Sequence, residues 1–237
     1  MKSNENYTSE TAALYASLGV IGTTYQVCLD ALAAEVNNLK NKHVLDFGCG
    51  AGRSTRLLQS FFPKQLVGID SSPAMIEQAL SQGYQNIQFQ KITRGDALPF
   101  PTGVFDAAFA MHVYCEFSDS AQMEQATKEL NRILKPEGIL YVITTNPGCL
   151  GADFINYHYA SDDTVKDGSP ITCHVHTNPP FSINDTWWSL EKMEQIFRES
   201  GFEISKRLLP LATGTTWRDE SKVAPGVLYC LTKLNLS

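Results

Sequence analysis

Residues 44–55, VLDFGCGAGRST, constrain this chain more than any other stretch. A short apolar run, of the kind that forms a buried strand, meets an acid at Asp46, and Gly48, Gly50 and Gly52 follow at alternate positions. Glycine lets a chain turn tightly and lets a ligand lie against bare backbone. In an open parallel sheet, ligands bind beyond the carboxyl ends of the strands. The stretch therefore predicts a cofactor pressed against residues 46–52; the competing reading is a tight strand-to-helix turn with no ligand. Arg53 stands where a pyrophosphate-binding GxGxxG fingerprint has its third glycine, and no GxxxxGK[ST] loop is present, so a pyrophosphate is disfavoured. A second strand, QLVGID, ends in Asp70, 20 residues beyond Gly50. An acid at that distance is placed to accept hydrogen bonds from ribose hydroxyls. The alternative is that Asp70 caps the next helix, a task for which Ser71 and Ser72 are better placed.

The pattern along the chain alternates strands with helices. Residues 7–38 read as one or two helices. KHVLDFG, QLVGID, NIQFQKI, VFDAAFAMHV and ILYVITTN read as five strands. Between them RSTRLLQSFF is a helix stopped by Pro63, and SPAMIEQALSQG a helix with Ser72 as N-cap, Pro73 at its first position and Gly83 at its end. DSAQMEQATKELNRILKPEG reads as a long helix closed by Lys135, Pro136 and Gly138. Such alternation implies βαβ units and a parallel sheet. The rhythm breaks after Asn146, where residues 147–185 are rich in Gly, Pro, Asp, Asn and Thr but too aromatic for disorder. It resumes with SLEKMEQIFRESGF, a helix capped by Ser189 and ended by Gly201, and two strands, EISKRLLPL and GVLYCLTKL.

The 237 residues, 43% of them hydrophobic, suffice for one large domain. A net charge of −6 with no long basic run argues against nucleic acid as a partner. The opening residues lack the pattern of a signal peptide, and no run approaches the roughly 20 apolar residues of a membrane span. Six scattered cysteines without a CxxC fit free thiols in a reducing cytoplasm rather than disulfides or a zinc site. The expectation is a cytoplasmic protein, monomer or homodimer, with no membrane or nucleic-acid partner and no metal.

VLDFGCGAGRST, VGIDSSPAMIEQA, LPFPTGVFDAAFAMHV and LNRILKPEGILYVI occur in that order, and together they resemble the class I S-adenosylmethionine-dependent methyltransferases, in particular the small-molecule group (type 11/25-like). The resemblance covers about residues 40–145. It implies a Rossmann-like seven-stranded, mostly parallel sheet of order 3-2-1-4-5-7-6, flanked by helices, with strand 7 antiparallel. Together with the pattern along the chain, the expected organisation is a single domain, 1–237, with an N-terminal helical cap (1–39), a cofactor-binding core (40–146), a lid insert after strand 5 (147–188) and the family's closing helix with strands 6 and 7 (189–237).

S-adenosyl-L-methionine is the implied cofactor. Asp46, Phe47, Gly48, Cys49, Gly50, Ala51 and Gly52 would surround its methionine part. Asp70 would bind the ribose, and Ser71 and Met75 would border the adenosine. Gly95, Asp96 and Ala97 precede the LPF stretch, where the family often meets the adenine amino group; the spacing is irregular, so Thr93 or Arg94 are alternatives to Asp96. Ala110 and Met111, at the end of the fourth strand, complete the set.

Methyl transfer from a sulfonium is an in-line displacement, so orientation supplies much of the rate. The acceptor floor is expected at AMHVYCEF. His112 is the candidate general base, because its ordinary pKa range suits taking a proton from a hydroxyl or amine; the alternative is a histidine that packs or donates to backbone. Tyr114, Cys115 and Glu116 compete, Glu116 as a holder of an ammonium or as a solvated acid. Tyr7, Tyr15, Tyr114, Tyr157, Phe181 and Trp187 are candidate walls of the acceptor site, with core packing as the competing role. His174 and His176 share a face if extended and, with His158 or Asp153, make half a metal site or, more simply, a half-exposed strand face. NPPF at 178–181 reads as coincidence, and 213–221 as a polar loop edging the pocket. The expected activity is methylation of a small molecule at O or N. The rival readings are an NAD-dependent oxidoreductase with an atypical glycine turn and a non-catalytic cofactor-binding or partner-regulating domain.

Overall fold

A computed structural model describes residues 7–36 and 38–235; residues 1–6 and 37 of the expected cap lie outside them. The alternating apolar runs become β1 (His43–Phe47), β2 (Gln65–Asp70), β3 (Ile87–Lys91), β4 (Phe105–Met111) and β5 (Leu134–Thr145). These are parallel neighbours in the order β3-β2-β1-β4-β5. β10 (Gly226–Lys233) adds antiparallel to β5, and β9 (Phe202–Leu208) antiparallel to β10. Counted within this seven-stranded sheet the order is 3-2-1-4-5-7-6, as the resemblance implies, and the fold is Rossmann-like.

Successive side chains of a strand point to opposite faces, and both faces of this sheet are covered. Leu45, Val67, Ala108, Val142 and Tyr229 pack on one face against α5 (Ser120–Ile133) and α6 (Leu190–Glu199), through Leu130, Ile133, Ile196 and Phe197. Val44, Leu66, Phe109, Tyr141 and Leu228 pack on the other against α2 (Thr24–Glu35) and α3 (Arg53–Gln59), through Leu29, Leu32 and Leu58. α4 (Pro73–Ser81) begins as expected: the Ser72 hydroxyl accepts from the Met75 N–H, Pro73 sits in the first turn, and Gly83 follows in a left-handed conformation. Asp70 is therefore not the cap.

One local expectation is corrected. α5 ends at Ile133, and Leu134 to Gly138 already belong to β5 rather than closing the helix. Pro136 disfavours helical backbone in the residue before it, so the break falls two residues ahead of the proline.

The segment after β5 forms a second, antiparallel sheet of β6 (Tyr157–Tyr159), β7 (Ser169–Val175) and β8 (Phe181–Trp187), in that order. Cys173, Val175, Tyr157, Tyr159, Phe181 and Ile183 pack in its own apolar cluster with Phe154 and Leu18. The small sheet is tied to α2 by Thr24, whose N–H donates to Asn156 Oδ1 at 2.7 Å and whose hydroxyl donates to the fully buried Glu220 at 2.6 Å. Loop 213–221 thus fastens α2 and the insert together. α1 (Ser9–Ser17) lies across α4 through Ala12, Tyr15 and Met75. Among the described residues no helix is long and apolar enough to cross a membrane.

Candidate active site

The glycine turn is built as close-packed backbone. Gly48, Gly50 and Gly52 all have positive φ (71°, 53° and 86°), which an L side chain adopts only at a cost. A Cβ on Gly48 would lie 2.3 Å from Val113 Cγ2. A Cβ on Gly50 would meet nothing nearer than Met75 Sδ at 3.9 Å, so this glycine leaves bare backbone facing the space above the sheet. Gly52 serves another purpose: its Cβ would meet the Tyr84 and Phe89 rings at 2.9 and 3.0 Å. The Asp70 carboxylate locks the turn, Oδ2 accepting from the Gly50 N–H at 2.9 Å and Oδ1 from the Ser72 N–H at 2.8 Å.

Beyond the ends of β1, β2 and β4 lies a cavity of about 390 Å³. Phe47, Gly48, Cys49, Gly50 and Ala51 form part of its wall, as do Asp70, Ser71 and Met75. Gly95 and Asp96 reach it from the turn after β3, together with Thr93 and Arg94, and Met111 and His112 from the end of β4. Asp46, Gly52, Ala97 and Ala110 do not line it. Asp46 is fully buried beneath the turn, where its Oδ2 accepts from the Ser54 and Thr55 hydroxyls at 2.7 and 2.6 Å; it braces the start of α3.

A second, smaller chamber of about 80 Å³ adjoins the first. Tyr7, Tyr15, Tyr25, Arg53, His112 and Glu116 border both. Tyr157, Tyr159 and Asp185, from the insert sheet, line only the smaller one. Of the expected acceptor walls, Tyr7, Tyr15 and Tyr157 are thus brought together. Three are corrected. Tyr114 is buried in the main core between the Phe117 and Phe197 rings, its hydroxyl on Thr127. Phe181 packs inside the insert's own cluster. The Trp187 indole N–H donates to the Pro147 carbonyl at 3.0 Å, and neither Phe181 nor Trp187 borders either chamber. Loop 213–221 borders neither. His158 stacks on His174 and its Nδ1 lies 2.9 Å from His176 Nε2, a ring cluster along one strand face, while Asp153 pairs with Arg218.

Tyr25, Arg53 and Asp185 are site residues that the sequence reading missed. Only Asp185 carries a signal: in FSINDTW it occupies the inward phase of Phe181 and Ile183. The Arg53 guanidinium lies over the Tyr25 ring at 4.0 Å and the Tyr15 ring at 4.8 Å, a favourable cation–π arrangement.

The charges here are shifted chiefly by burial. Glu116 accepts from the Tyr7 hydroxyl at 3.0 Å and pairs with Arg94 at 3.3 Å. Burial, then the carboxylates of Asp70 and Asp185, push it up to about 7. Burial raises Asp185 and Asp46 to about 6 each. Burial, then the Arg53 charge, lowers His112 to about 4, and its Nε2 has no hydrogen-bond partner.

These shifts carry a sign. With raised carboxyls the folded state binds more protons than the unfolded one, from the ordinary carboxyl range up to their shifted values, so their contribution falls as pH rises through that window. His112 opposes this, because below its ordinary value the folded state resists protonation. The raised carboxyls, Asp70 among them, outweigh the histidine: the protein is expected to be about 2 kcal/mol more stable at about pH 5.5 than at about pH 7.5. Urea unfolding at the two pH values checks it, and lower stability at the acid value contradicts it.

The residues present fit a nucleoside with a sulfonium side chain. Bare backbone at Gly50, a carboxylate at Asp70 and further acid at Glu116 face one cavity. The family described as Methyltransferase domain matches residues 45–142. N-demethylindolmycin N-methyltransferase of Streptomyces griseus is 25% identical over 214 residues, 88% of this chain and 89% of that one. Malonyl-[acyl-carrier protein] O-methyltransferase of Legionella pneumophila is 36% identical over 108 residues, 45% of this chain, which spans only 37% of that relative's length. The solved S-adenosylmethionine-dependent methyltransferase of Mesorhizobium loti shares the fold, with a TM-score of 0.66 at 17% identity over 91% of this chain and all of that one. So does the DhpI–SAH complex, at 0.64 and 18% over 100% of this chain and 97% of that one. Sheet order, glycine turn and sequence match agree: residues 45–142 match the methyltransferase-domain family, and the chain has the fold of the solved S-adenosylmethionine-dependent methyltransferases.

Proposed function

We propose that the chain methylates a small molecule at O or N, with the acceptor in the smaller chamber and the cofactor in the larger. The observation that carries this is the shared border: the same six side chains, Tyr7, Tyr15, Tyr25, Arg53, His112 and Glu116, face both spaces. When bound, S-adenosylmethionine supplies an electrophilic methyl on a positively charged sulfur. The chain's own part is to orient and to exclude water. Asp70 accepts from the ribose hydroxyls while its Gly50 and Ser72 contacts hold it still, and Ser71 and Met75 border the adenosine. Asp96 takes the adenine amino group, and the backbone of 47–51 borders the methionine part. The tyrosine rings and the insert sheet shield the reacting atoms, where fixed dipoles replace mobile water.

His112 stays neutral at physiological pH with its Nε2 unpaired. It therefore serves in this reading as a hydrogen-bond acceptor that positions a hydroxyl or amine at the border, and only weakly as a base. The described cysteines are all buried free thiols, which supports a reducing, cytoplasmic setting. The net charge of −6 supports a small acceptor over nucleic acid. Incubating the protein with methyl-labelled S-adenosylmethionine and a fractionated cell extract tests this. Label is expected in the small-molecule fraction, and label confined to protein or nucleic acid contradicts it.

A further inference from the structure

We propose that the methyl acceptor is a small primary or secondary amine, held as its ammonium between Glu116 and Asp185 in the tyrosine-lined chamber and methylated on nitrogen. This deepens the reading above and rests on it. Asp185 comes from the inward phase of β8 and is only 4% exposed. Its Oδ2 accepts from the Tyr159 hydroxyl at 2.5 Å, whereas its Oδ1, buried, accepts no hydrogen bond from an N–H or O–H group; the Cys115 thiol lies beside the carboxyl. A buried acceptor without a donor is costly, and a cationic donor in the chamber relieves it. Among the described residues Asp185 has no ion-pair partner. Arg94 engages Glu116 instead, and Arg53 is held against the Tyr15 and Tyr25 rings.

Glu116 faces the same chamber, and Asp185 is one of the charges that disfavour its ionised form. An ammonium between the two carboxylates interacts favourably with both, which a neutral hydroxyl does not. Tyr7, Tyr15, Tyr157 and Tyr159 line the same chamber, and aromatic surroundings favour a cation over a neutral group.

An ammonium has no lone pair, so one N–H proton must leave before the methyl arrives. Glu116, at the border, takes it: R–NH₃⁺ and the carboxylate become R–NH₂ and the carboxylic acid. The nitrogen lone pair then forms the N–C bond as the S–CH₃ bond breaks and its electron pair stays on sulfur. The products are R–NH₂CH₃⁺, the neutral thioether S-adenosylhomocysteine and one proton, which Glu116 returns to solvent. In the ligand-free site burial raises the Glu116 carboxyl to about 7, so it holds a proton more readily than an exposed carboxylate does.

The test is calorimetric titration of the protein saturated with S-adenosylhomocysteine, at neutral pH, with benzylamine and 2-phenylethylamine and with their neutral isosteres benzyl alcohol and 2-phenylethanol. At least one amine is expected to bind about tenfold or more tighter than its alcohol. In Asp185→Asn the preference is expected to fall within about threefold while S-adenosylhomocysteine affinity holds. Should Asp185→Asn not fold, Glu116→Gln, which borders both spaces, is read for the amine-over-alcohol preference alone in protein saturated with S-adenosylhomocysteine. Alcohols binding as well as amines, no amine binding, or a preference that survives in the folded variants overturns the proposal. Failure of wild-type protein to bind S-adenosylhomocysteine instead overturns the underlying reading, and the proposal with it.

Discussion

Asp70→Ala is expected to weaken S-adenosylhomocysteine binding about 100-fold or more while the apoprotein stays folded. The carboxylate stands at the end of β2 and borders the larger cavity, held by backbone N–H groups, with Gly50 on Oδ2 and Ser72 on Oδ1. A carboxylate accepts more than two hydrogen bonds, so ribose hydroxyls can add to these. Hydrogen bonds to a charged group contribute about 1.5–3 kcal/mol each, so losing two gives the stated factor. Folding survives because α4 is capped by Ser72 rather than by Asp70. It survives also because burial disfavours the Asp70 charge in the absence of ligand, pushing its pKa up. Calorimetry and circular dichroism on the same sample check both halves. An affinity within about threefold of wild type contradicts the ribose assignment.

Gly48→Ala is expected to lower stability by about 2–5 kcal/mol, the sum of a left-handed alanine (about 1–2) and overpacking (about 1–3). The clash is with Val113, whose Cγ2 would be 2.3 Å from the new Cβ. Valine is stiff about χ1 and cannot swing away freely. Val113 follows His112, itself in a left-handed conformation at φ 58°, so its displacement moves the floor of both chambers. Adding Val113→Ala is expected to restore the packing share and leave the backbone share. Gly50→Ala carries only the backbone cost, because its Cβ has room. Urea unfolding of the four proteins separates the two contributions, and a Gly48→Ala loss below about 0.5 kcal/mol contradicts the close-approach argument.

The parallel half of the fold is legible in the sequence because its strands are covered on both faces. Continuous apolar runs such as VLDF and QLVGID, punctuated by Ser72-Pro73 and the glycines, leave little choice. The insert is not legible in the same way. Its strands interleave Asn, Asp, Ser and His with apolar residues, and the sheet is anchored by contacts distant in sequence, such as Thr24 with Asn156, 132 positions apart. The LKPEG stretch misleads because its composition suits a helix end, yet Leu134 already pairs with Phe105 as a strand.

At the site, residues carrying backbone geometry are readable. Gly48, Gly50 and Asp70 lie where a turn and a strand end demand them. Side-chain direction is not readable. Tyr114 sits two residues from His112 but turns into the core, and Asp46 sits two residues from Gly48 but points beneath the turn. Arg53, apparent in the sequence only as the residue that replaces a glycine, proves to be a cation laid across two tyrosine rings.

The central claim is that the bare-backbone turn after β1 and the acid after β2 hold S-adenosylmethionine. Calorimetric titration of the wild-type protein with S-adenosylhomocysteine, and separately with NAD, tests it most directly. The account predicts saturable one-to-one binding of S-adenosylhomocysteine and none of NAD; saturable NAD binding with no S-adenosylhomocysteine binding would contradict it.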